Sequence, residues 1–287
     1  MKKVVFKGIA ASLVLSLSLA GCGSGSPAPS AAPSSSPESQ SATAPVVVKL
    51  GVVGESNEWW DPAIAALKQE GIEIELVKFS DYTLPNQALA DGEIDLNAFQ
   101  HHAFLQNQIK DKGYDLTPIC DTIIAPLGLY SDKIKSIDEL QDGDSIAIPS
   151  DATNGGRSLK VLETSGLIQV DPAAEYLPEV KDITANPKNI KFIEVEAAQT
   201  PSLLPDVAAA IINGAHAKDH GLTPSKDAIY LETVQEGSDN PYINVLVART
   251  ADKDNEIYQK IIKAFQTDET ARVLEEEYQG AYLPAWK

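Results

Sequence analysis

Four histidines are all the imidazole this chain has, and their spacing raises the first chemical question. His101 and His102 are neighbours in "LNAFQHHAFL", flanked by Phe99 and Phe104. Adjacent helical positions do not face each other, so the two cannot ligate one ion without an unusual backbone. His216 and His220 stand at i and i+4 in "HAKDH" and would share a helix face. A zincin needs glutamate at 217, where Ala217 stands. A solvated helix face is the commoner account of such a pair, and zinc or manganese the alternative. Nucleophilic catalysis has less support. There is no GxSxG, and Cys120 lacks a histidine in a recognisable local arrangement. Cys120 reads as a small buried hydrophobe. The acidic residues show no spacing that singles out a carboxylate pair for glycoside chemistry.

"SDATNGGRSLK" (150–160) carries more. A strand runs into an Asn/Gly-rich turn and then a helix, whose first N–H groups and positive dipole end suit a carboxylate or phosphate. Arg157 is expected in the first turn, where the dipole disfavours a cation. It is one of only three arginines, with Arg249 and Arg272, and its place beside Gly155 and Gly156 favours a bidentate carboxylate clamp. No Walker lysine follows, which argues against a nucleotide, and no other cofactor is indicated. Asn213 directly follows the apolar run "AAAII", as either a turn former or a polar contact. Asn244 sits inside "YINVLVAR", out of pattern for a strand interior, and needs partners if buried. Tyr82 fits either a site or a core aromatic with a wet tip. Trp59 and Trp60 cannot point the same way on a helix, which predicts at least one exposed or at a rim.

These residues need a frame. "VVVKLGVV" is a first strand, 58–70 a helix with Ile64 and Leu67 inward, and "IEIELVKF" a second strand by its period-two alternation. "LPNQALADG" is a short helix stopped by Gly92, "EIDLNAF" a third strand, and 100–112 a helix stopped by Gly113. The alternation predicts a parallel α/β sheet. After "TIIAPLGLY" the same grammar restarts at "SIDELQDGDSIAIPSD". It continues through two more strands to "YINVLVAR" and two closing amphipathic helices, giving two α/β lobes.

The first residues are of a different kind. Lys2, Lys3 and Lys7 precede an apolar run over 9–20, too short to span a bilayer but suited to a signal-peptide core. It ends in Leu19-Ala20-Gly21-Cys22, which resembles a bacterial lipobox. The expectation is a leader over 1–21, lipidation at Cys22, and a disordered tether to 45 built of Gly, Ser, Pro, Ala, Thr, Gln and one Glu. Acyl chains contribute about 0.8 kcal/mol per buried methylene, so two or more anchor the protein stably at the outer face of the membrane. The formal net charge of −18 argues against nucleic acid and against an anionic membrane surface. Cys22 assigned to lipid leaves Cys120 alone, which excludes a disulfide framework.

The folded body resembles the NlpA/MetQ family of methionine-binding lipoproteins. The resemblance runs through "KFSDYTLPNQALADGEIDLNAFQHHAFL", "DTIIAPLGLYS", "KSIDELQDGDSIAIPSDATNGGRSLKVLETSGLI", "DITANPKNIKFIEVEAAQTP", "IING" and "DNPYINVLVAR". It implies a two-lobe periplasmic-binding-protein fold of type II with the ligand between the lobes, the C-terminal third returning to the first. Lobe one would take 46–128 plus 241–287, and lobe two 129–240. It implies that Tyr82, Phe99 and His101 line a side-chain pocket. Arg157 would hold the ligand α-carboxylate, and Asn213 and Asn244 its amino and carboxylate groups. Phe104 joins the set where many members have tyrosine, and Ser202 stands where the family's arginine follows proline. The implied function is non-enzymatic: capture of L-methionine or a near relative (D-methionine, a glycyl dipeptide, another apolar amino acid) for an ABC importer's permease and ATPase. A zinc- or manganese-binding lipoprotein of similar shape is the alternative.

Overall fold

Branched apolar residues on alternate positions build the first sheet. The computed structural model describes residues 44–234, 240–279 and 282–287, so the leader, Cys22 and most of the tether lie outside the described residues. Along the chain come β1 (Val46–Val53), α1 (Asp61–Gln69), β2 (Ile72–Phe79), α2 (Pro85–Ala90), β3 (Leu96–His101), α3 (His102–Lys112) and β4 (Leu116–Ile124). Next are β5 (Gly128–Tyr130), β6 (Ser145–Pro149), α4 (Ala152–Thr164), β7 (Gln169–Val170), β8 (Ile183–Ala185) and β9 (Lys191–Val195). The second sheet is completed by β10 (Ala209–Ile212), α5 (Gly214–Asp219), α6 (Pro224–Asp227) and β11 (Tyr230–Leu231). The chain closes with β12 (Ile243–Arg249), α7 (Glu256–Phe265), α8 (Asp268–Tyr278) and β13 (Leu283–Pro284).

One sheet has the order β13-β4-β12-β3-β1-β2 and the other β11-β5-β10-β6-β9, with β7 and β8 as a separate pair. Each is the floor of one lobe. The parallel pairing expected of the strand–helix alternation holds for β1, β2 and β3, and antiparallel strands extend both sheets. β1 pairs parallel with β2 and β3, and β6 with β9 and β10, where helices or longer connections return the chain. β12 is antiparallel to both β3 and β4, and β5 to β10 and β11. The cause is the chain's two crossings between sheets, β4 to β5 and β11 to β12. The first, over 125–127, is made without a helix, so no crossover unit forces the strands it joins parallel.

β12 lies inside the first sheet, and Val245, Leu246 and Val247 are fully buried there, as an apolar run covered on both faces requires. Its helices α7 and α8 pack with α1 through Leu67, Ile261, Phe265 and Leu274. The helix expected over 58–70 is a 3-10 turn at Glu58–Trp60 followed by α1. That turn buries both tryptophans, contrary to the expectation of a rim residue. Trp60 packs on Phe265 with centroids 4.3 Å apart, and Trp59 lies edge-on to Tyr282. Gly113 ends α3 in the left-handed conformation, accepted there without strain because it has no Cβ. No helix among the described residues is long and apolar enough to cross a membrane.

Candidate functional site

Arg157 sits one turn inside α4, not in its first turn, because the helix begins at Ala152 with Asp151 as N-cap accepting from the Asn154 N–H at 2.9 Å. The adjacent glycines serve packing. A Cβ on Gly155 would stand 2.7 Å from the Pro149 carbonyl oxygen, and one on Gly156 3.1 Å from the backbone at Leu177. The expected bidentate clamp exists, but it holds the chain's own Glu232. Nε donates to Oε1 at 2.9 Å and Nη2 to Oε2 at 2.6 Å, with only 4% and 16% of the two side chains exposed. Nη2 also donates to the Ala125 carbonyl at 3.0 Å, and the Tyr242 ring lies 4.4 Å from the guanidinium carbon. These bonds use Nε and Nη2 and leave Nη1 as the remaining edge.

A chain of amides runs from this helix to the start of α5 within the same lobe. Asn154 turns its Nδ2 to the Asp151 carboxylate at 3.0 and 3.1 Å, so its Oδ1 accepts from Asn213 Nδ2 at 2.8 Å. Asn213 spends its donor on Asn154, and its buried Oδ1 has no hydrogen-bond partner among the described residues. Asn213 precedes α5 as its N-cap, yet makes no side-chain cap. Asn244 pairs with His101 across β3, and β12's register with β4 shifts between Ile243 and Val245. An irregularity at that point re-aims a side chain, which accounts for an amide in a strand interior.

His101 Nδ1 accepts the Phe104 N–H at 3.1 Å, which leaves Nε2 to carry the proton toward Asn154 Oδ1 at 3.4 Å. Burial first, and the Arg157 charge second, push the His101 imidazole down to about 3, so it is neutral at physiological pH. Its neighbour His102 is partly buried and pairs with Asp121 at 2.8 Å. Phe99, Phe104 and Tyr82 form a mutually tilted set with centroids 5.9–6.1 Å apart. Burial holds the Tyr82 phenol above its ordinary range.

The solvated-face account of "HAKDH" is corrected. His216 is buried, 4.9 Å from the Tyr82 ring, while His220 is exposed, and burial lowers the His216 pKa. Among the described residues no three His, Cys, Asp or Glu side chains gather as a metal-ion set. Cys120 lies on β4 with its thiol pushed up to about 12, chiefly by burial, which makes it a poor nucleophile at neutral pH.

All seven predicted site residues border one interior cavity: Tyr82, Phe99, His101, Phe104, Arg157, Asn213 and Asn244. Trp59, Asn154 and Tyr282 border it too. Its volume is about 60 Å³, against the roughly 10–15 Å³ that one water requires, so it admits a small molecule and no polymer. Arg157 is the one lining side chain with a formal charge. Sequence reasoning missed Glu232, Asn154 and His216. Asn154 lay in the stretch read as an Asn/Gly-rich turn and was open to discovery, whereas "YLETV" gives Glu232 no local signal.

Comparison with known proteins agrees with this fold. The model of the family described as NlpA lipoprotein matches residues 48–286. The D-methionine-binding lipoprotein MetQ of Yersinia pestis is 44% identical over 247 residues, covering 85% of this chain and 90% of that protein. A nutrient-binding protein from Burkholderia cenocepacia, solved bound to methionine, is 37% identical with a TM-score of 0.79, covering 83% of this chain and 99% of that one. The crystal structure of the methionine-binding protein MetQ gives 42% identity and a TM-score of 0.80, over 84% and 98%. Sequence and fold thus agree over most of the described body, and the chain belongs to the NlpA lipoprotein family.

Proposed function

We propose that this protein is the extracytoplasmic, lipid-anchored receptor of an ABC importer, that it captures methionine between its two lobes, and that it performs no bond-making chemistry. The cavity's composition carries the reading. One charged side chain with a free guanidinium edge suits an α-carboxylate. The unpartnered Asn213 Oδ1 suits the ammonium group, since a buried acceptor is costly to leave unmet. Phe99, Phe104 and Tyr82 suit a thioether, whose contacts with aromatic rings contribute about 0.3–1.5 kcal/mol each. The names of the relatives point to the same ligand.

The seven cavity residues are the ligand contacts of this reading, with Arg157 on the carboxylate, Asn213 and Asn244 on the polar head, and His101 in the wall. The acyl chains on Cys22 hold the protein at the outer face of the cell membrane. Closure around the ligand follows from its differential affinity for the closed state and presents that state to the permease and its ATPase.

Isothermal titration calorimetry with L-methionine, D-methionine, glycyl-methionine, zinc and manganese tests this. Saturable binding of a methionine form at one site is the expected result. A response to the metals alone would overturn the reading.

A further inference from the structure

We propose that Glu232 is a specificity-determining residue of the cleft: it neutralises Arg157 from behind, so that the site selects amino acids of zero net charge. This deepens the methionine reading and rests on it. Glu232 does not border the inner cavity. It borders a second cavity, and Arg157 borders both, so the ion pair stands between them. A ligand in the inner cavity meets guanidinium, not carboxylate.

The pair is fixed on every side. Glu232 Oε2 also accepts the Leu127 N–H at 2.8 Å, while Arg157 is held by the Ala125 carbonyl and the Tyr242 ring. Ala125 and Leu127 lie on one crossing between the sheets and Glu232 on the other, so one ion pair is anchored to both. The guanidinium therefore keeps its place even when the charge behind it changes.

The charge count then decides selectivity. The Arg157–Glu232 ion pair is neutral as a whole, and among the described residues the rest of the inner wall has no formal charge, His101 being neutral. A zwitterion enters at no net charge. Without the carboxylate, a mostly buried guanidinium would lack its counter-ion and favour any anion able to reach Nη1.

The test compares L-methionine with L-methioninamide, which keeps the ammonium and the tail but lacks the carboxylate charge. Dissociation constants are measured by calorimetry for wild type, Glu232→Gln and Glu232→Asp, at a pH where both amines are protonated. Glutamine is nearly isosteric and removes the charge; its single oxygen can replace Oε2, keeping an acceptor for Nη2 and the Leu127 amide, while the bond from Nε is lost. In E232Q the ratio of amide to acid dissociation constants rises about tenfold or more, because one more unit of positive charge faces the carboxylate at short range. In E232D, which disturbs packing more but keeps the charge, the ratio stays near wild type. A ratio unchanged in E232Q, or raised equally in E232D, overturns the proposal and leaves Glu232 a structural residue. If wild type binds no methionine at all, the receptor reading itself has failed, a result distinguishable from either.

Discussion

Asp219 and Glu55 meet across the cleft: both carboxylate oxygens of Asp219 accept the Glu55 backbone N–H, at 3.0 and 3.1 Å. Asp219 ends α5 in the second lobe, and Glu55 follows β1 in the first. The approach depends on Gly54, which has φ +87 and where a Cβ would stand 2.8 Å from Asp219 Oδ2. Neither Asp219 nor Glu55 borders the inner cavity. The contact therefore acts on closure without reading the ligand. Asp219→Ala is expected to weaken every ligand by the same factor, about fivefold, since an exposed charge-assisted contact contributes only about 1 kcal/mol. Calorimetry across several ligands checks the common factor. Small-angle scattering should show a larger radius of gyration at low ligand. Unchanged affinity would show that the contact does not favour the closed state.

Arg157→Ala has two separable consequences. It removes the carboxylate partner of the proposed ligand, and it leaves Glu232 largely buried with no cation. Breaking such a pair from one side costs about 3–5 kcal/mol. We expect methionine affinity to fall by more than about a hundredfold and the melting temperature to drop in the ligand-free protein. Arg157→Lys restores the charge but not the two-pronged geometry, so it should recover stability better than affinity. A variant that binds methionine as wild type does would remove Arg157 from the site.

How much of this was readable in advance depends on the range of each interaction. The helix stops at Gly92 and Gly113 were legible because a glycine ending an amphipathic segment acts locally, and both have positive φ. Arg157 stood out because arginine is scarce in the chain, and it was expected to clamp a ligand carboxylate. That its two-pronged clamp holds Glu232, 75 residues away, was not legible, since no local pattern encodes a pairing made by folding. The tryptophans were misjudged because helical periodicity was applied to a 3-10 turn, where the rotation per residue differs. His216 was assigned to solvent because a solvated helix face is the commoner account of two histidines at i and i+4. What buries His216 is Tyr82, brought from the other lobe.

Asn213 offers a prediction about the other end of the ligand. Its Nδ2 is committed to Asn154, so its role in the cavity is that of an acceptor. A hydrogen bond to a charged donor contributes about 1.5–3 kcal/mol, so Asn213→Ala should weaken methionine by roughly ten- to a hundredfold. The deaminated analogue 4-(methylthio)butanoate has no ammonium group and should lose far less. Parallel titrations of the two compounds give the comparison. Equal losses would mean that Asn213 only supports Asn154.

The two buried histidines make stability depend on pH in a direction that can be worked out. His101 has its pKa lowered from 6.5 to about 3, with burial as the main cause and the Arg157 charge second. His216 is lowered too, mainly by burial, against the opposing pull of Asp219 and Asp81. A lowered folded-state pKa means that the unfolded chain takes up protons first as pH falls. The contribution of His101 is therefore fully present above 6.5 and is lost progressively between 6.5 and about 3. Each such histidine adds a slope of up to about 1.4 kcal/mol per pH unit in that window. Urea unfolding of the ligand-free protein at several pH values between 7.5 and 5 isolates the effect, because most carboxylates are still ionised there. The free energy should fall as the solution is acidified. His101→Asn, which cannot titrate, should show a shallower fall by about one histidine's share. Identical slopes for the two proteins would mean that His101 is not held neutral in the cleft.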